Sequence, residues 1–168
     1  MALEVEDGTG KSNAESYISV ADADAYFALR SGNEWAVTWA AIASDDLKES
    51  ALRDATEFMA SRYGLRWKGD RVSADQALDW PRECVEAYGF SLASDAVPLT
   101  VQRVCAEYAA RASTGSLQAD VGAQVKQETV GPISVTYADG ARQTTAYKLL
   151  DAKLSPYLQG VGIQVVRA

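Results

Sequence analysis

The feature that most constrains the fold of this chain is a long helical pattern between Ser44 and Gly64. Ser44 precedes two aspartates, a combination that favours a helix N-terminus, and glycine commonly ends a helix. Between these two residues, apolar side chains recur at the spacing that places them on one face of a helix. The predicted buried stripe contains Leu47, Ala51, Ala55, Phe58, Met59 and either Arg62 or Tyr63.

A second strong helical pattern is introduced by Asp95 and Pro98 and stops at Gly115. Its predicted buried face contains Val101, Val104, Cys105, Tyr108, Ala109 and Ala112. Shorter helical pieces are predicted after the cap Ser19, around Trp35 and Trp39, and from Thr145 to Pro156. Another is predicted over residues 73–79, where Ser73 and Gln76 have the spacing of a capping box.

The period changes from helical to alternating between residues 123 and 138. Two β-prone runs flank Gly131-Pro132, which predicts a hairpin or a sharply bent strand. The expected fold class is therefore mainly α: a helical bundle of about four or five helices with one β-hairpin and extended terminal segments. The predicted core includes Phe27, Leu52 or Ala55, Phe58, Trp80, Val101, Val104 and Tyr108.

The length and composition indicate one domain over residues 1–168. We divide it into an N-terminal arm (1–17), a helical body with the β element (18–157) and a C-terminal tail (158–168). Nearly half of the residues are apolar, which argues against disorder. No apolar run has the length of a membrane span, and the acidic N-terminus is unlike a signal peptide, so we expect a cytoplasmic setting without membrane contact. Cys84 and Cys105 fit reduced thiols better than a disulfide framework.

The charge is unevenly distributed, and one short segment is basic. The chain has a net charge of −7, yet residues 62–82 contain five Lys or Arg against three Asp. A net-acidic chain repels phosphate backbones, so nucleic-acid binding is disfavoured unless this segment acts alone. The candidate nucleic-acid surface interleaves Tyr63, Trp67 and Trp80 with five cations: Arg62, Arg66, Lys68, Arg71 and Arg82.

The alternative interpretation of the basic segment is structural. Asp70, Asp75 and Asp79 lie in the same stretch and are possible partners for its arginines. Aromatic residues are usually buried, which favours both tryptophans as core residues and the arginines as partners of these acids or of a neighbouring subunit.

The run Gly8-Thr9-Gly10-Lys11-Ser12 ends like a phosphate-binding loop but lacks the rest of that motif. Val5 stands where a further glycine is needed, acidic residues precede the run, and no helix follows Ser12 directly. We therefore interpret the run as a turn in the arm and expect no nucleotide or other cofactor there.

The chain has no histidine, which removes Ser-His and Cys-His catalysis and most zinc sites. Two carboxylate pairs remain as candidates for acid-base or Mg²⁺ chemistry: Asp22 with Asp24, and Asp45 with Asp46. Both pairs lie in the first turn of a predicted helix, where carboxylates stabilise the helix dipole. We expect no catalytic residue, no metal ligand and no enzyme activity.

Five blocks in order carry a resemblance that covers most of the chain from Val5 to Leu158. They are VEDGTG with AESYISVADADAYFALR, the run WKGDRVSADQALDWPR, SDAVPLTVQRVCAEYAARA, ETVGPISVTYA and LLDAKLSPYL. This set resembles the small head-tail adaptor proteins of long-tailed bacteriophages, whose sequence family carries the label "DnaT-like", after a primosomal single-stranded-DNA-binding protein.

The resemblance implies a structural protein of the phage neck, located in the virion and assembled in the host cytoplasm. Its expected partners are the portal protein, other neck and tail connector proteins, and copies of itself in a ring, usually a dodecamer. Such a ring provides the platform for the next connector or the tail, and DNA passes through it without specific binding. Two alternatives remain open: a single-stranded-DNA-binding replication accessory protein, and a small enzyme that uses a carboxylate pair.

The tail after Leu158 lies outside the resemblance. Gly160 and Gly162 favour flexibility, whereas the β-branched residues that follow favour strand addition to a partner. We expect a docking arm for the portal or an adjacent subunit; the alternative is an extra strand beside the chain's own hairpin. The candidate contact residues are Ile163, Val165, Val166 and Arg167.

Overall fold

The computed structural model describes residues 2–118, 127–130, 133–136 and 145–160. In these ranges the chain forms five α-helices, in agreement with the predicted mainly α fold. They are α1 (Val20–Ala28), α2 (Glu34–Ala40), α3 (Asp45–Tyr63), α4 (Leu99–Ala112) and α5 (Lys148–Leu154). None of these helices combines the length and the apolar character that a membrane crossing requires.

The strands of the described ranges form three short antiparallel pairs. Strand β1 (Asp70–Arg71) pairs with β2 (Arg82–Glu83), β3 (Glu86–Ala87) with β4 (Phe90–Ser91), and β5 (Gln127–Val130) with β6 (Ile133–Thr136). In the last pair Val130 is opposite Ile133, so β5 and β6 form the hairpin that the alternating pattern predicts. The other two pairs have two residues per strand, too few to produce a period in the sequence.

Helices α3 and α4 pack against each other and form the centre of the body. The predicted cap is present, because the Ser44 hydroxyl accepts a hydrogen bond from the Leu47 backbone N–H at 3.4 Å. The buried face of α3 begins at Ala51, and Leu47 is exposed, so the predicted stripe extends one turn too far. Across the contact, the rings of Phe58 and Tyr108 meet edge to face with centroids 4.9 Å apart.

The predicted core is confirmed. The buried set includes every residue named for it: Phe27, Leu52, Ala55, Phe58, Trp80, Val101, Val104 and Tyr108. Trp67 and Trp80 are also both buried, and their rings pack edge to face. Cys84 is exposed and Cys105 is buried, and both are free thiols.

The helix predicted over residues 73–79 is absent; the segment is a series of bends. Half of the capping box is nevertheless formed, because Gln76 Oε1 accepts a hydrogen bond from the Ser73 N–H at 3.0 Å. The Gln76 amide then donates to the carbonyls of Leu78 and Pro81, and Arg71 donates to the carbonyls of Gln76 and Leu78. The Ala77 N–H donates to the Lys11 carbonyl at 2.9 Å and the Asp79 N–H to the Tyr17 hydroxyl at 3.1 Å, so two N–H groups that the helix would need are bound by distant parts of the chain.

The segment after α5 contacts the segment that follows α3. Leu150 and Leu154 of α5 are buried, as the sequence predicts. Leu158 then forms an isolated antiparallel bridge with Trp67, and the Gln159 N–H donates to the Arg66 carbonyl at 2.7 Å. The start of the tail is therefore attached to the body, whereas its predicted docking residues, 163–167, lie outside the described residues.

Candidate nucleic-acid interface

Two of the five predicted cations, Arg62 and Arg82, are used inside the fold. The Arg62 guanidinium binds the Asp151 carboxylate at 2.8 to 3.1 Å and ties α3 to α5. Arg82 is buried and donates to the carbonyls of Lys68, Gly69 and Asp79 at 2.8, 2.5 and 3.2 Å. Burial lowers the pKa of the Arg82 guanidinium, against the opposing effect of the nearby Asp79 carboxylate. These contacts give both residues a structural role, but the partners are Asp151 and backbone carbonyls and not the carboxylates of Asp70, Asp75 or Asp79 that the sequence suggests.

Arg71 is a third cation with an internal role. Arg71 is an exposed residue of β1 and is paired with Arg82 in β2. Its guanidinium donates hydrogen bonds to the carbonyls of Gln76 and Leu78. It therefore fixes the bends of residues 73–79 against the β1–β2 pair.

Arg66 and Lys68 have a different environment. Arg66 is the last residue of a short 3₁₀ helix (Gly64–Arg66), and Lys68 follows the buried Trp67, whose backbone is extended. The Lys68 ammonium donates to the carbonyls of Glu86 and Pro156 at 3.1 and 2.8 Å, and Arg66 is exposed. Within the part of the chain that the structure describes, neither cation has a carboxylate in ion-pair contact, although the charge of Arg66 helps to lower the pKa of the Asp151 carboxyl.

The β3–β4 hairpin lies beside Lys68 and was not identified from the sequence. It carries Tyr88 and Phe90, which are 72% and 74% exposed although they are large aromatic residues. Lys68 contacts the Glu86 carbonyl in β3, and the Tyr88 ring lies 6.3 Å from that of Tyr157. The signal in the sequence is small: an aromatic residue on each side of Gly89, in a stretch without periodicity. We call Arg66, Lys68, Tyr88 and Phe90 the hairpin face.

A second group of cations is arranged around Glu107 in α4. The Tyr26 hydroxyl donates to this carboxylate at 2.6 Å, Lys153 Nζ contacts it, and Arg111 lies 3.9 Å from it. The Arg30 guanidinium stacks 3.8 Å from the centre of the Tyr26 ring. Burial and the bond to Glu107 raise the pKa of Tyr26 to about 12. Glu107 thus joins α1, α4 and α5, and its cations stabilise the fold.

The Gly-Thr-Gly-Lys-Ser run encloses a carboxylate of the protein itself. Glu6 is buried, and its two oxygens accept hydrogen bonds from the N–H groups of Gly8, Gly10 and Lys11 at 2.8 to 2.9 Å. Gly8 and Gly10 have positive φ, the conformation that turns successive N–H groups toward one point. The Lys11 ammonium contacts the Val5 carbonyl and Asp7. The donors that a phosphate would need are satisfied by Glu6.

Three of the four paired carboxylates have structural partners; Asp45 lies 4.0 Å from Lys48 Nζ. Asp22 accepts a hydrogen bond from the Ser19 hydroxyl at the start of α1. Asp24 accepts hydrogen bonds from Trp39 Nε1 at 2.6 Å and from Lys48 Nζ at 2.8 Å, which connects α1 to α2 and α3. In the described ranges, no group of three or more histidine, cysteine or acidic residues is placed to hold a metal ion.

Comparison with protein-family models matches residues 1–168 to a family described as "Putative DnaT-like ssDNA binding protein". The chain belongs to this DnaT-like family. No curated protein and no solved structure matches the chain.

Membership of the DnaT-like family confirms one part of the resemblance and corrects the function drawn from it. The expected main function, a neck adaptor that forms a ring on a portal, is wrong on this comparison. The family that covers the whole chain is described by single-stranded-DNA binding, and this description favours the alternative that the sequence analysis leaves open. The phage and virion assignments that accompanied the adaptor have no support from the match.

Within this DnaT-like chain, the three aromatic residues of the predicted surface, Tyr63, Trp67 and Trp80, are buried, and the exposed rings are instead those of Tyr88 and Phe90. Four of the five cations of residues 62–82 hold carbonyls or a carboxylate. Lys68 contacts the Glu86 carbonyl in the hairpin that carries the exposed rings of Tyr88 and Phe90, and Arg66 is exposed. The predicted interface residues 163, 165, 166 and 167 lie outside the described residues and stay a prediction.

Proposed function

We propose that this protein binds single-stranded DNA, and that Arg66 and Lys68 of the hairpin face contact the phosphates. The observation that carries the proposal is the match of the entire chain, residues 1–168, to a family described by that activity. The geometry supports it at one place, where Lys68 contacts the hairpin that carries the exposed rings of Tyr88 and Phe90. Arg66, two residues earlier, is exposed. We propose binding alone, without catalysis, as the role of this surface.

The charge of the chain limits how this binding works. With a net charge of −7, most of the surface repels a polyanion, and a duplex has a higher charge density than a single strand. We therefore expect weak, sequence-tolerant binding, with a dissociation constant of roughly 10⁻⁴ to 10⁻⁶ M at moderate salt. A flexible single strand can reach a small basic site, while a rigid duplex brings many more phosphates close to acidic residues.

The experiment is a titration of a labelled oligothymidylate with the wild type and charge variants, followed by fluorescence anisotropy. Arg66→Ala should weaken binding several-fold, because it removes a phosphate contact. The matched control is Arg103→Ala, since Arg103 is exposed on α4 beside Tyr26 and away from the hairpin face. Equal effects of the two variants would contradict the assignment of the phosphate contacts to the hairpin face.

A further inference from the structure

The backbone conformation of the turn between β3 and β4 is usual for a two-residue hairpin loop but unusual for its first residue. Ala87 pairs with Phe90, so the loop consists of Tyr88 and Gly89, and both have positive φ, at +55° and +81°. This is the requirement of a type I′ turn, which strongly favours asparagine, aspartate or glycine at both positions. A tyrosine in the left-handed region is uncommon and has a conformational cost. Its presence at the tip of the hairpin is therefore not explained by the turn itself.

The hairpin is held firmly at its base. Val85 and Ala87 are buried, and the Leu92 N–H donates to the Val85 carbonyl at 2.9 Å. The Lys68 ammonium bridges the carbonyls of Glu86 and Pro156, which fastens the hairpin to the end of the body. An aromatic ring displayed on an anchored two-residue turn loses little conformational freedom when another ring stacks on it.

We propose that Tyr88 and Phe90 are the base-stacking residues of the DNA site, an inference that rests on the proposed function. Stacking on aromatic side chains is the sequence-tolerant part of single-strand recognition, because every base has a π-face. A duplex keeps its base faces covered, so the same residues select single strands. The neighbouring Lys68, which contacts the Glu86 carbonyl, places a positive charge beside the hairpin, and on that ground we favour DNA over an apolar protein partner as the occupant of this surface.

The test compares two probes that differ only in their bases: an oligothymidylate and an abasic oligonucleotide of the same length. For the wild type, removal of the bases should weaken binding. For Phe90→Leu, affinity for oligothymidylate should fall roughly 5-fold or more, and the difference between the two probes should shrink. Leu29→Ala is the control, since Leu29 is exposed at the end of α1 and should bind both probes as the wild type does.

Tyr88→Asn separates a structural role from a binding role. Asparagine suits a type I′ turn, so this variant should fold with unchanged or higher stability and yet bind oligothymidylate several-fold more weakly. A variant that loses stability and affinity together would show that Tyr88 acts through the fold, and it would overturn the assignment for this residue.

The outcomes distinguish the inference from the proposed function. If the wild type binds oligothymidylate and the Tyr88 and Phe90 variants bind equally well, the stacking assignment is wrong and the function stands. If the same variants instead change only the sedimentation of the free protein, the hairpin is a contact between copies of the chain and the assignment is again wrong. If the wild type binds neither probe, both proposals fail.

Discussion

The guanidinium of Arg62 and the carboxylate of Asp151 form a two-pronged ion pair, with nitrogen–oxygen distances of 2.8 to 3.1 Å, across 89 positions of the sequence. The Tyr63 hydroxyl donates to the same carboxylate at 2.5 Å and is 2.7 Å from the Tyr108 hydroxyl. Burial would raise the pKa of Asp151, but the hydrogen bonds from Arg62 and Tyr63 outweigh it and hold that pKa below its usual value. This cluster fastens α5 to α3 and α4.

Replacing Arg62 should therefore affect stability rather than DNA binding. We expect Arg62→Ala to lower the free energy of unfolding by about 1–3 kcal/mol, because Asp151 loses its charged hydrogen bonds. The matched control is Arg66→Ala, on the exposed surface four residues later, with an expected loss below about 0.5 kcal/mol. Urea unfolding of both variants provides the measurement. Similar losses for the two would mean that the Arg62–Asp151 pair contributes little.

A second prediction concerns the turn that holds the Glu6 carboxylate. Glu6→Gln keeps the shape of the side chain but replaces one acceptor oxygen with a donor, which then faces backbone N–H groups. We expect a loss of about 1–3 kcal/mol in the free energy of unfolding, measured by urea denaturation.

Lys11→Ala should leave the protein folded and without affinity for ATP, and we expect no ATP affinity in the wild type either. ATP binding by the wild type that disappears in Lys11→Ala would contradict the account of this turn.

The buried tyrosines predict how stability changes at alkaline pH. Burial, with the hydrogen bonds to Glu107 and Asp151, raises the pKa of Tyr26 and of Tyr63 to about 12 in each case. Tyrosine in an unfolded chain titrates near pH 10, so the folded state holds these protons more tightly. Their stabilising contribution is complete below about pH 10 and is lost as the pH rises to about 12.

We therefore expect the melting temperature, followed by circular dichroism, to fall between about pH 10 and pH 12. Tyr26→Phe has no hydroxyl to titrate at that site, so it should show a smaller fall over the same window. A melting temperature that rises across the window would contradict the direction of the two pKa shifts.

The sequence predicts best the helices that combine a long stretch of periodic apolar residues with capping residues at their ends. Helix α3 is an example, since Ser44 caps it, Gly64 follows its last residue, and the apolar stripe between them is buried from Ala51 onward. The helix expected at residues 73–79 is absent because backbone N–H groups that it would need are bound by distant residues, that of Ala77 by the Lys11 carbonyl and that of Asp79 by the Tyr17 hydroxyl. The two-residue capping pattern Ser73–Gln76 contains no information about that competition.

The candidate site is less predictable because its members depend on contacts between distant segments. The basic character of residues 62–82 is visible in the sequence, but Asp151, which binds Arg62, is far away in the chain. The exposure of Tyr88 and Phe90 follows from a turn between two-residue strands, which leaves no pattern to detect. Which cations remain accessible is therefore decided by the tertiary structure.

The most direct test of the central claim is the binding of single-stranded DNA by the wild type at different salt concentrations. The probe is a labelled oligothymidylate of about 20 nucleotides, with a duplex of equal length as the comparison. Two phosphate contacts, at Arg66 and Lys68, predict that the logarithm of the binding constant falls with the logarithm of salt concentration with a slope of about −1.4. Preference for the single strand with such a shallow slope is the predicted result. Absence of binding to the single strand at low salt, or tighter binding to the duplex, would contradict the account.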